Sequence, residues 1–146
     1  MSLLAITGAT GFVGSAVLTE ALGQGHQVRA LARRDQTPRP GVEWVHGDLG
    51  DMATLAALVA GADAVLHVAG LTNTPDPAEF EVANVTGTAH VLTAMKGAGA
   101  KRLVFVSSLA AREPMLSAYG ASKARAETLV EASGLDWRIV RPPGVY

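Results

Sequence analysis

Tyr119 and Lys123 stand four residues apart in the stretch Tyr119-Gly120-Ala121-Ser122-Lys123. On a helix, positions i and i+4 share a face, so the phenol and the ammonium point the same way. A tyrosine hydroxyl titrates near 10, too high for easy proton transfer at neutral pH. A neighbouring ammonium stabilises the phenolate, and each unit of pKa shift corresponds to about 1.4 kcal/mol. Ten residues separate Tyr119 from Ser108, which stands at a predicted strand end and is available to hydrogen-bond a substrate oxygen, with Ser107 as the second candidate. A phenol, an ammonium and a hydroxyl in this order suit proton exchange at a carbonyl or carbinol oxygen.

A second set of residues suits a phosphate. Gly8, Gly11 and Gly14, with Thr10, Phe12 and Val13 between them, form a Gly-x-x-Gly-x-x-Gly turn between an apolar run and a helical pattern. Glycines in such a turn divide the work: one makes the tight bend, one lets a phosphate approach the backbone, one lets helix pack on strand. The first gap is one residue wider than in the usual dinucleotide fingerprint, and alone the pattern also fits a structural β-to-α turn. At the end of the second predicted strand, where dinucleotide enzymes often place an acid on the ribose, the sequence has Ala32-Arg33-Arg34. A guanidinium pairs bidentately with a 2′-phosphate, so Arg33 favours NADP over NAD; the same pair also suits a solvated surface. Asp48 and Leu49, after the third strand, either frame an adenine or, for Asp48, cap the following turn.

These residues need elements to hold them. Apolar runs at 3–7, 27–32, 42–46, 64–68, 102–106 and 136–140 read as strands. Helical patterns follow Gly11 and occupy 52–59, 78–98 and 117–132. In the first helix Val13, Ala16, Val17, Ala21 and Leu22 mark the packed face, and Asp51 is the N-cap of the second. Strands alternating with helices mean βαβ units and a parallel sheet; a doubly wound α/β fold of order 3-2-1-4-5-6 is expected. All candidate residues then fall after strand C-termini, where such sheets bind ligands.

Composition narrows the function classes. The 146 residues are 49% hydrophobic and 17% charged, with a net charge of −1, which offers no footprint for nucleic acid or an anionic membrane. There is no cysteine, so disulfides and thiol catalysis are excluded, and the four histidines show no metal-ligand spacing. His67 reads as strand packing and His26, His46 and His90 as surface or half-buried groups. Without a basic leader or a long apolar run, a cytoplasmic location is expected.

Taken together, the residues resemble the short-chain dehydrogenase/reductase superfamily, in its extended or atypical, epimerase/dehydratase-like branches. The turn TGATGFVG is similar to that branch's TGxxGxxG. Val65-Leu66-His67-Val68-Ala69-Gly70 resembles the strand passing beside the cofactor, Asn84-Val85-Thr86-Gly87-Thr88 the N-V-x-G-T helix, and Val106-Ser107-Ser108 the strand with the catalytic serine. Tyr119 and Lys123 match YxxxK, and Arg141-Pro142-Pro143-Gly144-Val145-Tyr146 resembles R-P-x-x-V-Y. The resemblance implies a Rossmann fold and hydride transfer between a nicotinamide and a small-molecule substrate. Tyr119 would exchange the proton, Ser108 would orient the substrate oxygen, and Lys123 would hold the nicotinamide ribose. Val68, Ala69, Gly70 and Pro142 would line the cofactor, and Asn84 is a further candidate. It also implies a possible homodimer through the helices at 78–98 and 117–132. A nucleotide-sugar epimerase or dehydratase with retained NAD, and a non-catalytic NADP(H) sensor, are the alternatives. Because the family usually continues into a substrate lobe, residues 1–146 are expected to be the NAD(P)-binding domain of a longer product. The short interval between Ser108 and Tyr119 favours reductase-like members.

Overall fold

β1 (Leu3–Thr7) is an apolar strand whose last three residues are buried, and it takes an inner place in a six-stranded parallel sheet. The computed structural model describes residues 2–143, so the Gly144-Val145-Tyr146 end of the R-P-x-x-V-Y motif lies outside the described residues. β2 (Gln27–Ala32) and β3 (Val42–His46) lie on one side of β1. β4 (Ala64–His67), β5 (Arg102–Val106) and β6 (Asp136–Val140) lie on the other, in the expected order 3-2-1-4-5-6.

Right-handed crossovers dictate the helix layers. The β1-to-β2 connection runs toward one sheet edge and puts α1 (Phe12–Gly23) on one face. The connections after β3 run the other way, so α2 (Met52–Val59), α4 (Gly87–Ala98) and α5 (Ala118–Glu131) cover the opposite face. Two cores result. Leu18 and Ala21 pack with Ile6, Val28 and Ala30, while Leu55, Leu58, Val91, Met95 and Val130 pack with Ala5, Val65, Leu103 and Phe105. Among the described residues, no helix is long and apolar enough to cross a membrane.

Two elements differ from the sequence expectation. In α1, Ala16 is exposed and Leu18 is buried. Gly14 is pressed against the β1 turn and fixes the rotation of the helix, and the positions one and two turns beyond it on the same face are Leu18 and Ala21. The helix expected over 78–98 is continuous but not uniform. α3 (Pro77–Phe80), capped by the Asp76 side chain, runs into a π turn at Glu81–Thr86 before α4 begins. The wider turn carries Asn84 inward, where Oδ1 accepts from the Leu71 N–H at 2.7 Å and Nδ2 donates to Ser122 Oγ at 3.0 Å.

A buried polar network joins the strand ends beneath the glycine turn. His67 at the end of β4 is fully enclosed, with Nδ1 2.6 Å from Thr7 Oγ1 and Nε2 2.9 Å from Thr88 Oγ1. The Thr88 hydroxyl already donates to the Asn84 carbonyl at 2.7 Å, so at Nε2 it must accept. His67 therefore carries its proton on Nε2, and the Thr7 hydroxyl donates to Nδ1 while accepting from the Val68 and Ala69 N–H groups, each at 3.1 Å. One neutral imidazole satisfies every partner. Burial, with a smaller contribution from the Lys123 ammonium, pushes the His67 pKa down to about 3.

This sets a sign for the pH dependence of stability. Between about pH 6.5 and 3 the unfolded chain binds a proton at His67 that the folded chain does not, so this stabilisation is complete above 6.5 and is lost as pH falls. Unfolding free energies from urea titrations between pH 7.5 and 5 should fall by up to about 1.4 kcal/mol per pH unit from this group alone. His67→Gln should flatten that slope, and an unchanged slope in the variant would show that His67 is not its source.

Candidate functional site

The three glycines of the opening turn have separate structural duties. Gly8 takes φ +75°, and a β-carbon there would sit 2.6 Å from the Ala69 nitrogen. A β-carbon on Gly14 would fall 1.7 Å from the Gly8 carbonyl oxygen, so helix and turn touch only because Gly14 has no side chain. Gly11 is different. Its β-carbon would meet nothing nearer than the Gly8 oxygen at 3.5 Å, an ordinary contact. Packing does not require glycine there, and the position opens on a cleft. Gly11 is also the N-cap of α1, which has neither a side-chain cap nor an acidic residue in its first turn. The first-turn N–H groups and the positive end of the helix dipole are thus left for an anion.

The cleft has a volume of about 950 Å³ and lies across the C-terminal ends of the strands. Gly8, Thr10, Gly11, Phe12, Val13 and Gly14 form one wall; Arg33, Asp48 and Leu49 lie at the β2–β3 end. Val68, Ala69 and Gly70 continue from β4, and Ser108, Tyr119 and Pro142 border the far end. Asp48 caps its turn, its Oδ1 accepting from the Gly50 N–H at 2.8 Å, and the residue also lines the cleft. Sequence reasoning missed the wall supplied by the π turn and α4, including Ala83, Thr86 and His90. Val82 is 66% exposed and lines this cleft.

The three candidate catalytic side chains are held by different means. Ser108 caps the short 3-10 turn Leu109–Arg112, its Oγ accepting from the Ala110 N–H at 3.1 Å. Tyr119 is half-buried in the first turn of α5, its ring packed against Phe80 at 5.8 Å between centroids. Lys123, by contrast with Ser108 and Tyr119, does not line the cleft. It is 3% exposed, donates to the Val106 carbonyl at 3.1 Å, and lies 4.6 Å from the centre of the Phe105 ring. The ammonium lies behind Gly70, where a β-carbon would come within 3.5 Å of Nζ. Burial lowers its pKa to about 8, against the opposing pull of the Glu127 carboxylate. Ser107, the second candidate, also lines the cleft, and its hydroxyl donates to Glu127 Oε2 at 2.5 Å. Asn84 ties the loop after Gly70 to α5 and is absent from the cleft lining.

Comparison with known proteins agrees with this geometry. The family described as NAD(P)H-binding matches residues 8–146. The chain belongs to that family. Within it, the NAD(P)H-binding domain is 43% identical to a ceramide reductase of Caulobacter vibrioides, over 99% of this chain and 46% of that protein. It is 34% identical to the 4-hydroxy-2-methyl-3-oxo-4-farnesyl-3,4-dihydroquinoline-1-oxide ketoreductase of Stigmatella aurantiaca, over 97% and 49%. A solved short-chain dehydrogenase/reductase superfamily protein from Agrobacterium tumefaciens with bound NAD superposes with a TM-score of 0.83 at 30% identity, over 95% and 48%. The chain spans about half the length of these relatives. The Rossmann fold, the family and a nicotinamide cofactor are therefore established for this domain, and the uncapped α1 start fits the pyrophosphate of such a cofactor.

The unequal duties of the glycines can be separated by experiment. Gly14→Ala should cost at least about 2 kcal/mol of stability, because the clash is with backbone. Gly11→Ala should cost less than about 1 kcal/mol, yet weaken both NADH and NADPH by about tenfold or more. Chemical denaturation and cofactor titration of the two variants check this, and equal stability losses would refute the division.

Proposed function

We propose that the protein is an NADP(H)-dependent reductase acting on a carbonyl substrate, with Ser108, Tyr119 and Lys123 as the catalytic group. The observation that carries this reading is that Ser108 and Tyr119 border the same cleft as the glycine turn. A bound nicotinamide supplies the two-electron redox chemistry. The N–H groups of the α1 start would hold the pyrophosphate, Arg33 the 2′-phosphate, and Asp48 and Leu49 the adenine side. Val68, Ala69, Gly70 and Pro142 would shape the nicotinamide end.

The Ser108 hydroxyl orients the substrate oxygen, and the Tyr119 hydroxyl gives it a proton as the carbonyl becomes a carbinol. Lys123 has three N–H donors, of which one is committed to Val106, so two remain for ribose hydroxyls presented past Gly70. Its positive charge also favours the tyrosinate left after proton transfer. The loop from Ser108 to Tyr119 carries Met115 and Leu116, which are 93% and 81% exposed. Val82 is on the cleft wall; together with these exposed side chains, which lie outside the cleft lining, it would suit a substrate that brings a long apolar group beside its carbonyl. Both curated relatives above are named as reductases of lipid-like or prenylated molecules, which supports the same substrate class. A second reading, an epimerase-like enzyme that retains NAD, is favoured by the NAD held in the solved relative. Protein purified with tightly bound NAD, and inert with exchangeable NADPH, would select it.

Two measurements test the main reading. Long-chain alkyl ketones should support NADPH oxidation; Tyr119→Phe should keep NADPH affinity within about twofold while turnover falls about 100-fold or more. Full turnover in that variant would end the assignment of Tyr119. Arg33→Ala should weaken NADPH by about tenfold or more and leave NADH nearly unchanged, as loss of one charge-assisted contact requires. Equal losses for the two cofactors would place no phosphate at Arg33.

A further inference from the structure

Glu127 lies one helical turn beyond Lys123 on α5, so their side chains share a face. Glu127 is 3% exposed, and both of its oxygens are engaged. Ser107 Oγ donates to Oε2 at 2.5 Å; the Arg141 guanidinium donates from Nε to Oε2 at 2.9 Å and from Nη2 to Oε1 at 2.5 Å. Ser107 directly follows β5 and precedes the cleft residue Ser108; Arg141 directly follows β6 and precedes the cleft residue Pro142. The two strand ends are also laced by backbone, Ser107 N–H to the Val140 carbonyl at 2.7 Å and Leu109 N–H to the Pro142 carbonyl at 3.2 Å. A single carboxylate thus fastens both strand ends to the helix that carries Tyr119 and Lys123.

We propose that Glu127 is a positioning residue of the catalytic group: its carboxylate aligns the Ser108-bearing strand end with α5 and is the counter-charge of the buried Lys123 ammonium. This rests on the reading of Lys123 as a site residue. Burial acts to raise the Glu127 pKa, but the hydrogen bonds from Arg141 and Ser107 outweigh it and hold the carboxyl below its usual range. Glu127 is therefore ionised wherever Lys123 titrates. The other groups around the ammonium are the Val106 carbonyl and Phe105 ring from β5, neutral His67 from β4, and the Asn84 amide beside Gly70 from the π turn. Among these Glu127 is the one anion. Arg141 tempers it, since the guanidinium shares the same carboxylate.

The charge state of Lys123 can be followed without any substrate. The sequence has three lysines, Lys96, Lys101 and Lys123, so isotope-labelled lysine yields a small set of side-chain NMR signals, with Lys123 identified by its loss in Lys123→Arg. The native midpoint should lie near 8. Glu127→Gln should lower it by about one pH unit or more, and Arg141→Gln, which removes the competing cation, should raise it. Opposite shifts support the proposal; a midpoint unmoved in Glu127→Gln overturns it. Should Glu127→Gln fail to fold, Arg141→Gln decides alone, since a midpoint that stays or falls there also overturns it. Turnover enters neither readout, so failure of the reductase reading and failure of this proposal are distinguishable.

Discussion

The contact on which the rest of the structure depends is the approach of Gly14 to the Gly8 carbonyl. At that separation no side chain fits on Gly14, so the start of α1 lies directly on the turn that leaves β1. The contact sets the rotation of α1, which sends Leu18 and Ala21 into the core under the sheet. It also sets the direction of the helix axis and leaves its first-turn N–H groups facing the cleft. Beneath it, Thr7 closes the arrangement. Its hydroxyl donates to His67 and accepts from Val68 and Ala69, binding the end of β1 to the first residues after β4. The floor and wall of the cleft are therefore one hydrogen-bonded unit.

On the other side of the sheet, the site is built from polar groups out of water. Lys123, Glu127, Ser107, Asn84 and Ser122 are all buried, at positions where an apolar core would otherwise continue. Desolvating a charge costs several kcal/mol, and burying an ion pair rarely improves stability over well-packed apolar residues. The compensation here is geometric. Arg141 and Ser107 occupy the Glu127 oxygens, Asn84 spans Leu71 and Ser122, and Val106 and Phe105 receive the Lys123 ammonium. Each link crosses between elements that are distant in sequence. Such a network holds strand ends and helix in one relative position, which proton transfer over hydrogen-bond distances requires.

The cleft also shows a division between its ends. Toward β2 and β3 it offers glycine backbone, a guanidinium and an aspartate, groups suited to the charged and polar parts of a dinucleotide. Toward β5, β6 and the π turn it offers Tyr119, Ser108, Pro142 and the apolar surface of Val82, a setting for an apolar molecule with one reacting oxygen.

Much of this was legible in the chain. Strand positions, helix limits, sheet order and most cleft residues follow from local signals: apolar runs, helical spacing, caps, and glycines where backbone must bend or approach. Right-handed crossovers then place every strand C-terminus, and with it every motif, on one edge. What periodicity does not carry is the outcome of contacts between distant segments. Leu18, not Ala16, is buried because Gly14 meets Gly8, and the helix over 78–98 widens where Asn84 reaches Leu71 and Ser122. The spacing of Tyr119 and Lys123 predicted a shared face, yet the ammonium lies behind Gly70 on the Val106 carbonyl. Glu127 and Arg141 carry no local signal of their pairing; they meet because β6 lies beside β5 and α5 packs over both. Residue types and local spacing determined which groups form the site, and tertiary packing decided which of them face the cleft and which support it from behind.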